Sequence, residues 1–261
     1  MPLRIYSPEG RGEDRLPGLI YFHGGGLVSG DLNTHDALCA TLAHHAACRV
    51  VAVNYRLAPE WRYPAAHDDA FAAVLAIAAN PSRWAIDPGR LGVGGDSAGG
   101  NLAATAAARA RDAGVALVLQ LLLCPALDPL GRTTSRAQLA TGHLLEEATM
   151  ARYWEFYREE GVTAEDARVA PLREKDFTKL PTTLIHTAEY DPLRDEGDMY
   201  AGALRRAGVD VRHTMHALLI HHFYGLGAVI PAGQAALLTV CAELRDTFAR
   251  EALVLNRAAA L

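Results

Sequence analysis

Gly95-Asp96-Ser97-Ala98-Gly99 is the stretch of this sequence whose residue types and spacing could do chemistry. The apolar residues 91–94 lead into it, and an Ala-rich helical segment, residues 102–113, follows. A serine with glycine two positions away on either side, between a strand and a helix, matches a nucleophile elbow. Such a turn strains the serine backbone, and side chains at the two glycine positions would collide with the incoming strand or the outgoing helix. The hydroxyl then projects from the turn, and the helix N-terminus behind it favours developing negative charge. The other glycine-rich strand-to-helix device, a dinucleotide fingerprint, fails here. Its frame from Gly92-x-Gly94 reaches Ser97 where a third glycine is required.

A serine alcohol is a poor nucleophile at neutral pH, so it needs an adjacent base and a group that orients the base. Acyl transfer also needs hydrogen-bond donors aimed at the developing oxyanion, each worth roughly 3 kcal/mol. His23-Gly24-Gly25-Gly26 can supply them. Consecutive glycines after a strand expose backbone N–H groups that no side chain shields.

The elements that must position these groups can be read from the hydrophobic pattern. Residues 3–6, 19–22, 49–57, 116–124, 182–187 and 209–215 read as strands, together with the run entering the elbow. Residues 33–47, 65–79, 195–207 and 234–250 read as helices, the second stopped by Asn80-Pro81. Strands alternating with helices imply one α/β domain over residues 1–261, with a mostly parallel sheet covered on both faces. In such sheets the site lies at the carboxyl ends of the strands, where both glycine-rich motifs fall. Residues 128–179 differ: they are more charged, helical around 144–159, and carry Tyr153, Trp154, Phe156 and Tyr157. They read as an inserted cap. The short Ala-rich C-terminus is expected to fray.

Composition narrows the function classes. The chain has 261 residues, half of them apolar and 21% charged, with a net charge of −5. This balance, with no basic cluster, excludes a nucleic-acid partner. No apolar run reaches the length of a membrane span, and the N-terminal residues form no secretory h-region. Cys39, Cys48, Cys124 and Cys241 show no CxxC spacing and read as free thiols of a reducing cytoplasm. The 11 histidines form no HExxH or paired Cys/His pattern, so no metal site is expected.

The motifs taken together resemble the hormone-sensitive-lipase-like (bacterial type IV) esterases of the α/β-hydrolase superfamily. The resemblance rests on His23-Gly24-Gly25-Gly26, on Asn54-Tyr55-Arg56-Leu57-Ala58-Pro59-Glu60 leading to Tyr63-Pro64-Ala65-Ala66 and Asp68-Asp69, and on Gly95-Asp96-Ser97-Ala98-Gly99-Gly100-Asn101. It implies an α/β-hydrolase fold with Ser97 as nucleophile. The N–H groups of Gly25, Gly26 and Ala98 would form the oxyanion hole, with His23 bracing that loop. Asp191, in Glu189-Tyr190-Asp191-Pro192-Leu193-Arg194-Asp195, matches the family's acid. Asp195 is the competitor, and its other reading is a helix N-cap. His221, in Ile220-His221-His222-Phe223, matches the base, with His222 and His216 as alternatives. The order Ser97, Asp191, His221 is the order of the fold family. His222 stands where relatives carry a small residue, and Leu218 where glycine is common. Tyr55-Arg56 and Asp68-Asp69 read as scaffold. His44, His45, His67 and His186 read as surface or satisfied core residues.

The resemblance implies a serine carboxylesterase for short- to medium-chain acyl esters, working through an acyl-enzyme without a cofactor. A non-catalytic small-molecule-binding protein, or an amidase or deacetylase with the same triad, are the alternatives. Relatives carry some tens of residues before the His-Gly-Gly-Gly motif, which begins here at position 23. The family's first strand and the N-terminal half of its cap are therefore expected to be absent. That would leave an opened, wetter pocket with weak chain-length selection. The strand at 209–215 should form a sheet edge, open to pairing with a second copy.

Overall fold

The computed structural model describes residues 1–163 and 165–258; the end of the Ala-rich C-terminus lies outside the described residues. Its seven strands are β1 (Leu3–Tyr6), β2 (Leu16–Phe22), β3 (Arg49–Val53), β4 (Ile86–Asp96), β5 (Leu119–Leu123), β6 (Thr182–Tyr190) and β7 (Val211–Ile220). They form one sheet in the order β1-β3-β2-β4-β5-β6-β7. Only β1 runs antiparallel, against β3.

The central strands are buried on both faces, as parallel strands between helical layers must be. Side chains alternate accordingly. Ile20 and Phe22 face one core with Val51, Val53 and Val93, while Leu19 and Tyr21 face the other with Val50, Ala52 and Leu121. The first core is covered by α2 (Ala65–Ala79), α3 (Ala98–Asp112) and α6 (Arg194–Arg206), the second by α1 (Asp36–His45) and α7 (Pro231–Ala258). In α3 the residues Ala103, Ala106, Ala107 and Ala110 are buried, so the helix axis lies close to the sheet.

The register brings the strand ends level. Phe22 pairs with Gly95, Gly95 with Leu122, and Leu122 with Ile185. The glycine loop after β2, the elbow after β4 and the loop after β6 therefore open on one edge of the sheet. Between β5 and β6 the chain leaves the sheet and forms α4 (Thr134–Gln138) and α5 (Glu147–Tyr157), where the cap was expected.

Element identities agree with the sequence reading, and several bounds move. β3 stops at Val53 rather than at residue 57, because Tyr55 and Arg56 turn away to hold His23 and Asp69. β4 starts at Ile86 rather than 91, because Ile86 pairs with Leu16 across the sheet. β6 and β7 run on to Tyr190 and Ile220, so each delivers its loop directly to the site.

Candidate active site

Ser97 joins β4 to α3 with φ 53° and ψ −118°, a region that L residues enter only under strain. The flanking glycines explain how the turn is possible. A Cβ on Gly95 would lie 2.2 Å from the Gly99 carbonyl oxygen, and one on Gly99 would lie 2.0 Å from that of Phe22. The second collision is with β2, not with the elbow's own strand or helix. Ser97 N–H donates to Leu123 O at 2.8 Å, and Ser97 O accepts from Asn101 N at 3.2 Å and Ala126 N at 3.0 Å. The elbow is held from the neighbouring strand and from the loop that follows it.

Asp191 and His221 arrive from the ends of β6 and β7. His221 Nδ1 donates to Asp191 Oδ2 at 2.8 Å, which leaves Nε2 to accept from the Ser97 hydroxyl at 3.1 Å. Asp191 is fully buried, and its Oδ1 accepts from Leu193 N at 2.9 Å. Burial lowers the His221 pKa, but the neighbouring Asp191 carboxylate outweighs it and the net shift is upward.

The loop after β2 faces this line of side chains. Gly25 and Gly26 have φ of 115° and 65°, and Gly25 O accepts from Val28 N and Ser29 N. Tyr55 donates to His23 O at 2.6 Å and stacks on the His23 ring with centroids 4.3 Å apart, so His23 braces the loop as expected. Beneath the loop lies Asp96, which accepts from Tyr21 Oη at 2.8 Å, Gly24 N at 3.1 Å and His35 Nε2 at 3.3 Å. Burial works against the charge, but His35 and the donors pull its pKa down to about 2.

A cavity of about 100 Å³ opens beside Ser97, walled by Leu27, Ala98, Met150, Tyr153, Trp154 and Leu193 among others. Met150, Tyr153, Trp154 and Tyr157 share one face of α5 by their i, i+3, i+4, i+7 spacing. That face roofs the cavity, and the Tyr153 ring packs so closely on Gly26 that a Cβ there would meet it at 2.1 Å.

The structure brings Ser97, Asp191, His221 and the glycine loop together and leaves their competitors outside. Asp195 is not an N-cap: α6 starts at Arg194, and its Asp195 carboxylate instead accepts from Ser135 N of α4 at 2.8 Å. His222 sits at φ 66° with its ring toward His35 and Tyr224, and His216 pairs with His186 at 3.2 Å. Leu218, where glycine was expected, adopts φ 60° and is 77% exposed. The position has the backbone geometry of a glycine and carries a side chain that finds room in solvent. Arg56 and Asp69 form a forked pair at 2.9 and 2.8 Å, and Arg109 pairs with Asp68, as scaffold.

The four cysteines are buried and unbridged. Cys124, Asp191 and His221 alone, among the described residues, put three metal-ligating atoms within 4.8 Å of one another. There the His221 nitrogen and the Asp191 oxygen are spent on each other. Three residues of the site were given no role by the sequence reading. Asp96 lies inside the elbow motif, which could have marked it. His35 and Tyr157 meet their partners across 61 and 90 residues, and no local pattern signals either contact.

Known proteins resemble this chain in sequence and in fold. A family model described as α/β hydrolase fold matches residues 19–225. Carboxylic ester hydrolase LipN of Mycobacterium tuberculosis is 40% identical over 92% of this chain and 66% of its own length. Ethyl acetate hydrolase of Pseudomonas putida is 36% identical over 94% of the chain and 78% of its own. The structure of an ester hydrolase from the metagenome of Lake Arreo, complexed with a bipyridine phosphonate derivative, superposes with a TM-score of 0.92. That match is at 41% identity, over 95% of this chain and 79% of the other. The chain thus spans between about two thirds and four fifths of the lengths of these relatives.

Proposed function

The chain belongs to the α/β-hydrolase fold family, in the hormone-sensitive-lipase-like branch its motifs resemble, and from that membership we propose that it is a serine carboxylesterase for short- to medium-chain acyl esters. One observation carries the reading: Ser97 Oγ, His221 and Asp191 stand in unbroken hydrogen-bond reach, at 3.1 and 2.8 Å. A protein that only bound its ligand would have no need of a base on the serine. That contact favours hydrolysis over the binding alternative.

In the proposed reaction His221 Nε2 takes the Ser97 proton as Oγ adds to the ester carbonyl. Asp191 keeps the proton on Nδ1 and stabilises the imidazolium. The oxyanion meets the N–H groups of Gly25, Gly26 and Ala98 at the start of α3, whose dipole favours the charge. Collapse breaks the bond to the alcohol oxygen, which leaves with the proton from His221. Water then adds to the acyl-enzyme with the same base, and the acid is released from Ser97.

Two further readings accompany this one. The outer edge of β7, with Met215 49% exposed, suits pairing with a second copy of the chain. Unbridged thiols support a reducing, cytoplasmic location, and no helix among the described residues is long and apolar enough to cross a membrane.

Hydrolysis of p-nitrophenyl acetate, butyrate, octanoate and laurate by the wild type and Ser97→Ala tests the function. Turnover of the shorter esters by the wild type alone is expected. A folded wild type silent on every ester, or a variant as active as the wild type, would refute it.

A further inference from the structure

The cavity beside Ser97 ends in a polar group that catalysis does not use. We propose that His67 sets the length of the acyl arm: it latches α5 to the catalytic body and closes the deep end of the cavity with a polar floor that has no donor to spare. The inference rests on the esterase reading and names the selectivity of that same site.

The acyl arm is the part of the substrate that enters. The leaving oxygen must meet His221 Nε2 to receive its proton, and His221 is not part of the cavity wall, whereas Ser97, Ala98 and Gly26 are. Of the wall, Val169, His67, Tyr157 and Asn101 are almost completely buried, as are Leu193 and Arg136. The first four are joined to one another by hydrogen bonds into one continuous patch, which we take as the inner end.

Proton accounting fixes how these groups are joined. Asn101 Nδ2 donates its two hydrogens to Ala126 O and Val169 O, each at 2.9 Å. Its Oδ1 can only accept, from His67 Nε2 at 3.0 Å. His67 therefore carries its proton on Nε2, and Nδ1 accepts from the Tyr157 hydroxyl. Burial keeps the ring neutral by pushing its pKa down to about 4. No donor is left over to greet a ligand.

The chain of bonds also determines where α5 lies. Tyr157 ends the helix, and its O accepts from Tyr63 N at 2.9 Å while its hydroxyl holds His67. One turn earlier, Tyr153 rests on Gly26. The roof is pinned at both places. A longer acyl chain would have to lift α5 or press its methyl end into the polar floor. By proportion to an apolar cavity of ~150 Å³ that holds benzene, about 100 Å³ takes roughly four non-hydrogen atoms. A closed floor implies selection for acetyl to butyryl groups, where the sequence alone pointed to weak chain-length selection.

The test compares kcat/KM on p-nitrophenyl acetate, butyrate and octanoate for the wild type, His67→Leu and Tyr157→Phe. The wild type should favour the two short esters over octanoate. Both variants should raise the octanoate-to-acetate ratio by on the order of tenfold. A residue that only supported the fold would lower all three rates together. Variants that fold and keep the wild-type ratio within about twofold, or a wild type that favours octanoate, would overturn the proposal. Tyr157→Phe removes one oxygen and decides the matter if His67→Leu does not fold. The same substitutions placed on Ser97→Ala and titrated with butyrate and octanoate read the cavity without turnover. A failure of hydrolysis and a failure of the latch are then separate results: an unchanged octanoate-to-butyrate affinity ratio there overturns the latch.

Discussion

The Asp96 carboxylate, one residue before the nucleophile, accepts the backbone N–H of Gly24 at 3.1 Å. This bond joins the elbow to the oxyanion loop across 72 residues, so the two halves of the site cannot shift independently. The approach is close enough that a Cβ on Gly24 would lie 2.3 Å from Asp96 Oδ2. His35 and Tyr21 complete the carboxylate's partners, and its charge is held deep in the fold.

Asp96 is therefore a positioning residue for the oxyanion hole. Replacing it by Asn keeps the volume but weakens the hold on Gly24 and leaves His35 without its counter-charge. Outright loss of one oxyanion donor costs about 3 kcal/mol, roughly 150-fold, and a displaced donor costs less, so kcat should fall by about 10–100-fold with KM little changed. Kinetics on p-nitrophenyl butyrate check this. A rise in KM alone would place Asp96 in substrate binding instead.

The pH profile should report the His221–Asp191 pair. The base must be neutral to act, and Asp191 raises its pKa above the usual 6.5 despite burial. Activity should thus fall as pH drops through that raised value, with an acid limb above pH 6.5. Asp191→Asn removes the charge that raises it and permits the wrong tautomer. Its acid limb should move to lower pH, and kcat should drop by about 10⁴-fold. An unmoved limb would show that another group titrates.

Two buried neutral histidines should make the fold acid-sensitive. Burial lowers the pKa of His67 to about 4 and that of His186 to about 3. The unfolded chain takes up these protons near pH 6.5, the folded chain only near 4 and 3. Their neutral burial is compatible with full stability above 6.5, and stability falls as pH drops below it. Each costs about 3 kcal/mol by pH 4. His35 and His221, shifted upward, act in the opposite sense and offset part of this. Urea unfolding at pH 7, 5 and 4 should give a decreasing free energy; a flat series would contradict the assignment of both rings as neutral.

Light scattering should return twice the chain mass at working concentration if copies pair along β7. Met215→Lys on that strand should shift the mass to one chain. A single-chain mass for the wild type would remove the edge-pairing model.

The order Ser97, Asp191, His221 rested on the family resemblance; the sequence by itself determined the elbow, the glycine loop and the alternation that makes the sheet. Each is a local constraint. A Cβ at Gly95 would collide with the elbow's own Gly99 carbonyl, whereas the bar at Gly99 is set by β2, and a doubly buried strand must be a short apolar run. Leu218 was legible as a departure from a common glycine, and the structure supplies its φ of 60°, the geometry that glycine usually provides. What only the tertiary structure decided was contact between distant segments. Asp96 meets Gly24 and His35, His67 meets Tyr157, and Asp195 turns to Ser135 rather than capping its own helix. These bonds leave no periodic trace in the sequence. A buried polar side chain takes whichever partner the packed elements bring within about 3 Å, and that choice exists only after the sheet and its helices have assembled.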